Sequence, residues 1–206
     1  MRVSRTVVAG VAAVAALTVA VAGCGSKPAA TSTSGSATSA TSARSSAPAS
    51  PAPAQPTDYT GLLIHATDIN APIQFNGSPP APNPNGQPGV ATTFSTEDNS
   101  HVIKDTIQVF ADPAAATNAL NAAKANPGNA LTNPTAPRPL NVGTGGTTVS
   151  GKSPDNSKGV LILMFTEGKA FVTLEFDGPV DSLPPEDFVT DVGQKQAAAV
   201  KKGLGG

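Results

Sequence analysis

The apolar positions of this chain fall into three regimes. Val7 to Val21 is an uncharged run of 15 residues, rich in Ala and Val. Gly25 to Thr57 then holds no Leu, Ile, Val or aromatic residue. From Tyr59 onward, apolar residues recur with the periods of strands and helices.

Within that third regime, Leu62-Leu63-Ile64 reads as a short helical segment ending near Asp68. Pro72 to Gly89 carries six prolines and the turn pairs Asn76-Gly77 and Asn85-Gly86, so it reads as an irregular loop. Val90–Thr96 and Val102–Phe110 read as strands. In the second strand Ile103, Ile107 and Val109 share one side and Lys104, Thr106 and Gln108 the other. Asp105 interrupts the apolar side, which predicts a strand at a sheet edge.

Asp112-Pro113 predicts a helix start: Asp accepts from free N–H groups, and Pro fits the first helical position. Ala116, Ala119, Leu120 and Ala123 give that helix a thin apolar stripe, and Asn126-Pro127-Gly128 ends it. Leu140-Asn141-Val142 and Thr147–Ser150 read as two short strands. Val160–Thr166 is continuously apolar, which predicts a strand buried on both faces. Glu167-Gly168-Lys169 turns the chain and Ala170–Phe176 returns as a hairpin. A last helix runs from about Pro185 to Lys202, with Glu186 and Asp187 in its first turn and Lys201 and Lys202 in its last. Phe188, Val189, Val192 and Ala199 form its core face. This order predicts an α+β domain, an antiparallel sheet of about five to six strands packed with two main helices.

The first two regimes describe a destination. Arg2 and Arg5 precede the apolar run, which is shorter than the about 20 residues a bilayer span requires. Residues 1–23 therefore read as a signal peptide. Val21-Ala22-Gly23-Cys24 resembles the bacterial lipobox, with Val21 standing where Leu is usual. That resemblance implies cleavage between Gly23 and Cys24, a diacylglycerol on the Cys24 thiol and an acyl chain, such as palmitate, on its new amino group. Two or three acyl chains hold a protein stably where one does not. The expected location is the outer, extracytoplasmic face of the cell membrane, anchored without spanning it.

Residues 24–57 read as a tether. Of the 33 residues from Gly25 to Thr57, 28 are Ala, Ser, Thr or Pro. Such a segment buries too little apolar area to offset its conformational entropy and is expected to be disordered. Its Ser/Thr density near Pro is also that of an O-glycosylated stalk. Residues 58–206 form the single folded domain and carry every aromatic residue of the chain.

Charge sharpens this division. The chain has 13 basic and 14 acidic residues. Arg2, Arg5, Lys27 and Arg44 lie outside the domain, leaving nine basic residues inside against all 14 acidic ones, a net charge of −5. That balance argues against nucleic acid as a partner and against charge-driven docking on an anionic membrane.

The chemistry-bearing patterns are sparse. Gly146-Thr147-Thr148-Val149-Ser150-Gly151-Lys152-Ser153 matches the phosphate-binding pattern G-x-x-x-x-G-K-S. A phosphate loop needs a rigid strand before it and a helix after it. Here the turn-forming Pro154–Gly159 follows, so the segment reads as a Gly/Ser-rich hairpin loop and no nucleotide is expected. His65 and His101 lack a third ligand at metal-site spacing, and no metal or cofactor is expected. Glu97-Asp98 fits a loop and Glu186-Asp187 a helix start, while Glu175 and Asp177 could face a cleft. Asn76-Gly77-Ser78 matches a glycosylation sequon, which carries little meaning in a bacterial lipoprotein. No G-x-S-x-G elbow occurs and Cys24 is committed to lipid, so no catalytic residue is assigned.

Lipobox, tether and small domain together resemble cell-envelope lipoproteins of actinobacteria, mycobacteria especially. Leu62-Leu63 with Asp68-Ile69, then Phe110-Ala111-Asp112 opening an Ala-rich helix, then a hairpin and a final helix, resemble two families. One is the sensor-type extracellular domain of mycobacterial receptor kinases and related lipoproteins. The other is the lipoprotein group with a Mog1/PsbP-like sandwich. The resemblance implies a non-enzymatic module binding a small ligand, glycan or partner protein, with a lipid or glycolipid carrier as the alternative. A large apolar cavity would favour the carrier. Convergent carboxylates, or a serine near a histidine, would favour a hydrolase.

Overall fold

The computed structural model describes residues 58–205. The predicted signal peptide, Gly23 and Cys24 of the cleavage site, and the tether lie outside the described residues.

The domain is one antiparallel sheet with helices on both faces. In chain order the elements are β1 (Asn76–Gly77), β2 (Ala81–Pro82), β3 (Gly89–Ser95), β4 (Val102–Val109), α1 (Pro113–Ala125), β5 (Arg138–Pro139), β6 (Thr144–Lys152), β7 (Lys158–Glu167), β8 (Ala170–Pro179) and α2 (Glu186–Gly203). The sheet order is β1-β3-β4-β8-β7-β6-β5, with β2 also paired to β3. Five strands are long and three contain two residues each, so the α+β reading holds.

β7 explains the two-layered core. Its continuous apolar run is buried on both faces, as predicted. Leu163 and Phe165 face one core with Val172, Leu174, Phe176 and the α2 residues Val189, Val192 and Val200. Ile162 and Met164 face a second core with Val149, Phe171 and Leu120 of α1. Alternation along a strand thus divides α2 from α1. α1 begins as the sequence indicates, with the Ala115 N–H donating to Asp112 Oδ1 at 2.8 Å. Its buried residues are Ala116 and Leu120, a thin stripe.

Four expectations are corrected. Leu62–Ile64 is not one helical segment: Leu62 closes a 3-10 turn and Leu63 after it is extended. Two short 3-10 turns, Thr60–Leu62 and Ala66–Asp68, flank extended residues. This stretch is held from outside, by Gln196, rather than by its own periodicity. β4 is not an edge strand. It lies between β3 and β8, and Asp105 is fully buried opposite Thr92 and Leu174. The short strand before β6 is at Arg138–Pro139, not at Leu140–Val142.

The fourth correction concerns the segment that matches the phosphate-loop pattern. Gly146–Lys152 is not a loop but part of β6, paired with β7. Its glycines have a packing reason. A Cβ on Gly146 would strike the carbonyl oxygens of Leu140 and Val142, and one on Gly151 would lie 2.8 Å from the carbonyl oxygen of Thr132. Both are places where another backbone segment crosses close to the strand.

Candidate functional site

An apolar cavity opens where β4 begins and β8 ends. The register pairs Val102 with Asp177 and Ile103 with Phe176, which brings the preceding His101 beside Gly178. Ala71–Phe75 forms one wall and the Ser182–Pro185 loop with Phe188 of α2 another. The cavity volume is about 160 Å³. Phe75 and Phe176 are buried, and the Phe176 and Phe188 rings meet edge to face, their centroids 6.1 Å apart at 72°. Ile73 and Leu183, 42% and 43% exposed, are the exposed large hydrophobic residues among those described, and both border this cavity. Prolines beside them, Pro72 and Pro184, restrict the backbone that presents them.

His101 supplies the polar edge. Its ring packs beside Gly178: a Cβ there would lie in ordinary contact with it, 3.6 Å from Cδ2 and 4.0 Å from Nε2. The other ring nitrogen, Nδ1, is 2.9 Å from Ser100 Oγ. Ser100 Oγ in turn donates to Asp98 Oδ1 at 2.9 Å. Asp98 Oδ1 also accepts from Thr96 Oγ1 at 2.7 Å and from the Ser100 N–H at 3.0 Å. These donors, the Thr96 hydroxyl foremost, hold the Asp98 carboxyl down at about 2. Ionised Asp98 is acceptor-only, so it takes the single Ser100 hydroxyl proton. Ser100 Oγ must then accept from His101 Nδ1–H. In the neutral ring Nε2 is consequently a bare acceptor, and it has no partner among the described residues.

A serine beside a histidine is the contact a hydrolase would need. The polarity runs the other way, because the carboxylate draws the serine proton while the histidine donates to the serine. A nucleophile activated by a base requires the histidine to accept that proton and a third group to orient the ring.

The other sequence candidates separate. Glu175 and Asp177 meet Lys104, whose Nζ lies 2.6 Å from Glu175 Oε1 and 3.0 Å from Asp177 Oδ2. Burial raises the Glu175 pKa, against the pull of Lys104. Asp177 also borders the cavity, and its Oδ1 is buried without a partner. His65 precedes the second 3-10 turn, exposed, and borders a different cleft. Among the described residues no group of three His, Cys, Asp or Glu is placed to hold a metal ion. Glu97-Asp98 sits in a turn, and Glu186-Asp187 opens α2. Ile73, Ser100, Leu183 and the cavity itself were missed by sequence reasoning. The available signal was two lone aliphatic residues set beside prolines in loops.

The chain matches no family model, and no curated protein matches it. Its fold is similar to that of the extracellular domain of PknH from Mycobacterium tuberculosis, known from a crystal structure. The TM-score is 0.51 at 12% identity, covering 72% of this chain and 95% of that one. The likeness is one of fold, compatible with the sensor-type resemblance. No helix among the described residues is long and apolar enough to cross a membrane.

Proposed function

We propose that this chain is a cell-envelope lipoprotein, anchored through Cys24 to the outer face of the cell membrane, whose domain is a non-enzymatic binding module. The observation that carries the reading is the placement of Ile73 and Leu183. Two exposed aliphatic side chains cost apolar hydration, and both stand at the mouth of one aromatic-floored cavity. An extracellular domain as structural neighbour supports the extracytoplasmic location.

In this cavity, size favours a small guest over a lipid. Pockets for drug-sized ligands run to about 300–1,000 Å³. At about 160 Å³ the cavity suits a ring-sized group better than an acyl chain.

Native mass spectrometry of the full chain purified from its own host tests the proposal. The expected spectrum shows acyl mass on Cys24 and a retained small molecule that Leu183→Asp releases. Cys24→Ala should yield an unlipidated precursor or a soluble secreted form. An unmodified Cys24, or a Cys24→Ala protein still fixed in the membrane fraction, would overturn the anchor. The absence of any retained molecule, with wild type and Leu183→Asp indistinguishable, would count against the binding module.

A further inference from the structure

Resting on the binding-module reading, we propose that the cavity takes a single small aromatic ring bearing a hydroxyl, a phenol-class group whose O–H donates to His101 Nε2.

Volume sets the ring. An empty cavity of about 150 Å³ lined by aliphatic and aromatic side chains takes benzene. This one has about the same volume, with Phe75, Phe176, Phe188 and Ile103 on its walls. The Phe176 ring already receives one edge-to-face neighbour in Phe188. Such floors accept a further flat ring in offset or edge-on geometry.

Hydrogen-bond sense sets the substituent. The relay Asp98–Ser100–His101 fixes which nitrogen carries the proton. Asp98 accepts from Ser100, Ser100 accepts from Nδ1–H, and Nε2, on a ring that lines the cavity, is left as an acceptor. A guest matching this end must donate. An apolar ring with one O–H does so without bringing a charge into an apolar site, whereas a carbonyl compound would set acceptor against acceptor.

The test titrates phenol and toluene into the full-length chain and follows the methyl signals of Ile73 and Leu183 by NMR. Both probes should perturb these methyls, and Leu183→Asp should abolish both effects. Comparing two probes in two proteins cancels the difference in their transfer from water. His101→Phe keeps a flat ring at the site and removes the acceptor. It should move the phenol-to-toluene affinity ratio about fivefold toward toluene, the factor of one net hydrogen bond. Ser100→Ala frees the choice of tautomer and should move the ratio in the same direction by less. An unchanged ratio in His101→Phe, or binding that survives Leu183→Asp, overturns the proposal. A retained host molecule lacking an aromatic ring would overturn this inference and leave the binding-module reading standing. Failure of both phenol binding and ligand retention would remove both.

Discussion

The side-chain amide of Gln196 donates to the carbonyl oxygen of Leu62 at 2.7 Å, while its Oε1 accepts from the Ile64 N–H at 3.1 Å. Gln196 is fully buried in α2, and the two backbone groups belong to a segment more than 130 positions away in sequence. One amide thus replaces the strand partners that Leu62–Ile64 lacks. Gln196→Ala would strand a buried donor and a buried acceptor, each costing about 1–3 kcal/mol. The expected loss is about 3 kcal/mol, read as a lower urea midpoint with m unchanged. Gln196→Glu keeps the acceptor for Ile64 but sets oxygen against the Leu62 oxygen, and it should be destabilised as well.

Gly193 lets α2 approach the sheet. A Cβ at this position would lie 2.6 Å from Leu163 Cδ2 and 3.0 Å from Val142 Cγ1. Gly→Ala inside a helix normally gains about 1 kcal/mol. Overpacking costs about 1–3 kcal/mol. Both neighbouring side chains are themselves buried and have little room to move. Gly193→Ala is therefore expected to lower Tm, the reverse of the propensity rule. A rise in Tm would show that Leu163 repacks freely.

The cap of α1 is a purely local feature and gives a cleaner magnitude. Asp112 Oδ1 accepts from the Ala115 N–H at 2.8 Å in an exposed setting. Asp112→Ala should cost about 1 kcal/mol and Asp112→Asn close to nothing, measured by thermal unfolding.

The elements legible in the sequence are those whose cause is local. The Asp112-Pro113 start, the doubly buried run of β7 and the charge gradient of α2 each lie within one segment, and each is where the pattern puts it. The misread elements have distant causes. Leu62–Ile64 owes its shape to Gln196. The glycines of β6 answer to Leu140, Val142 and Thr132, so a spacing that fits a phosphate loop arises from backbone crossings. The cavity gathers residues from 71–73, Phe75, 101–103, 176–178, 182–185 and Phe188, and no single window holds its pattern. Asp105 misled for a different reason. A carboxylate in an apolar alternation ordinarily marks exposure, because burying it unpaired is costly.

That cost gives Asp105 a measurable signature. Its two carboxylate oxygens are buried without hydrogen-bond partners, and burial alone pushes its pKa well above the ordinary range. The unfolded chain releases this proton near the ordinary pKa of about 3.9. Below that pH the group is protonated in both states and costs nothing through ionisation. As pH rises above it, the unfolded state ionises first, and stability falls by up to about 1.4 kcal/mol per pH unit until the folded pKa is reached. Asp98 and Asp155 act in the opposite direction. Hydrogen bonds, led by the Thr96 hydroxyl for Asp98 and the Ser153 hydroxyl for Asp155, hold both at about 2, so their contribution is lost as pH falls toward that value. Their contribution is common to wild type and variant and cancels in a difference. The stability of Asp105→Leu minus that of wild type should therefore be smallest near pH 3 and grow steadily toward neutrality. There the variant should be more stable by about 2 kcal/mol or more, since an apolar side chain suits the site. A difference flat from pH 3 to 7 would mean that Asp105 finds a proton donor or water in solution.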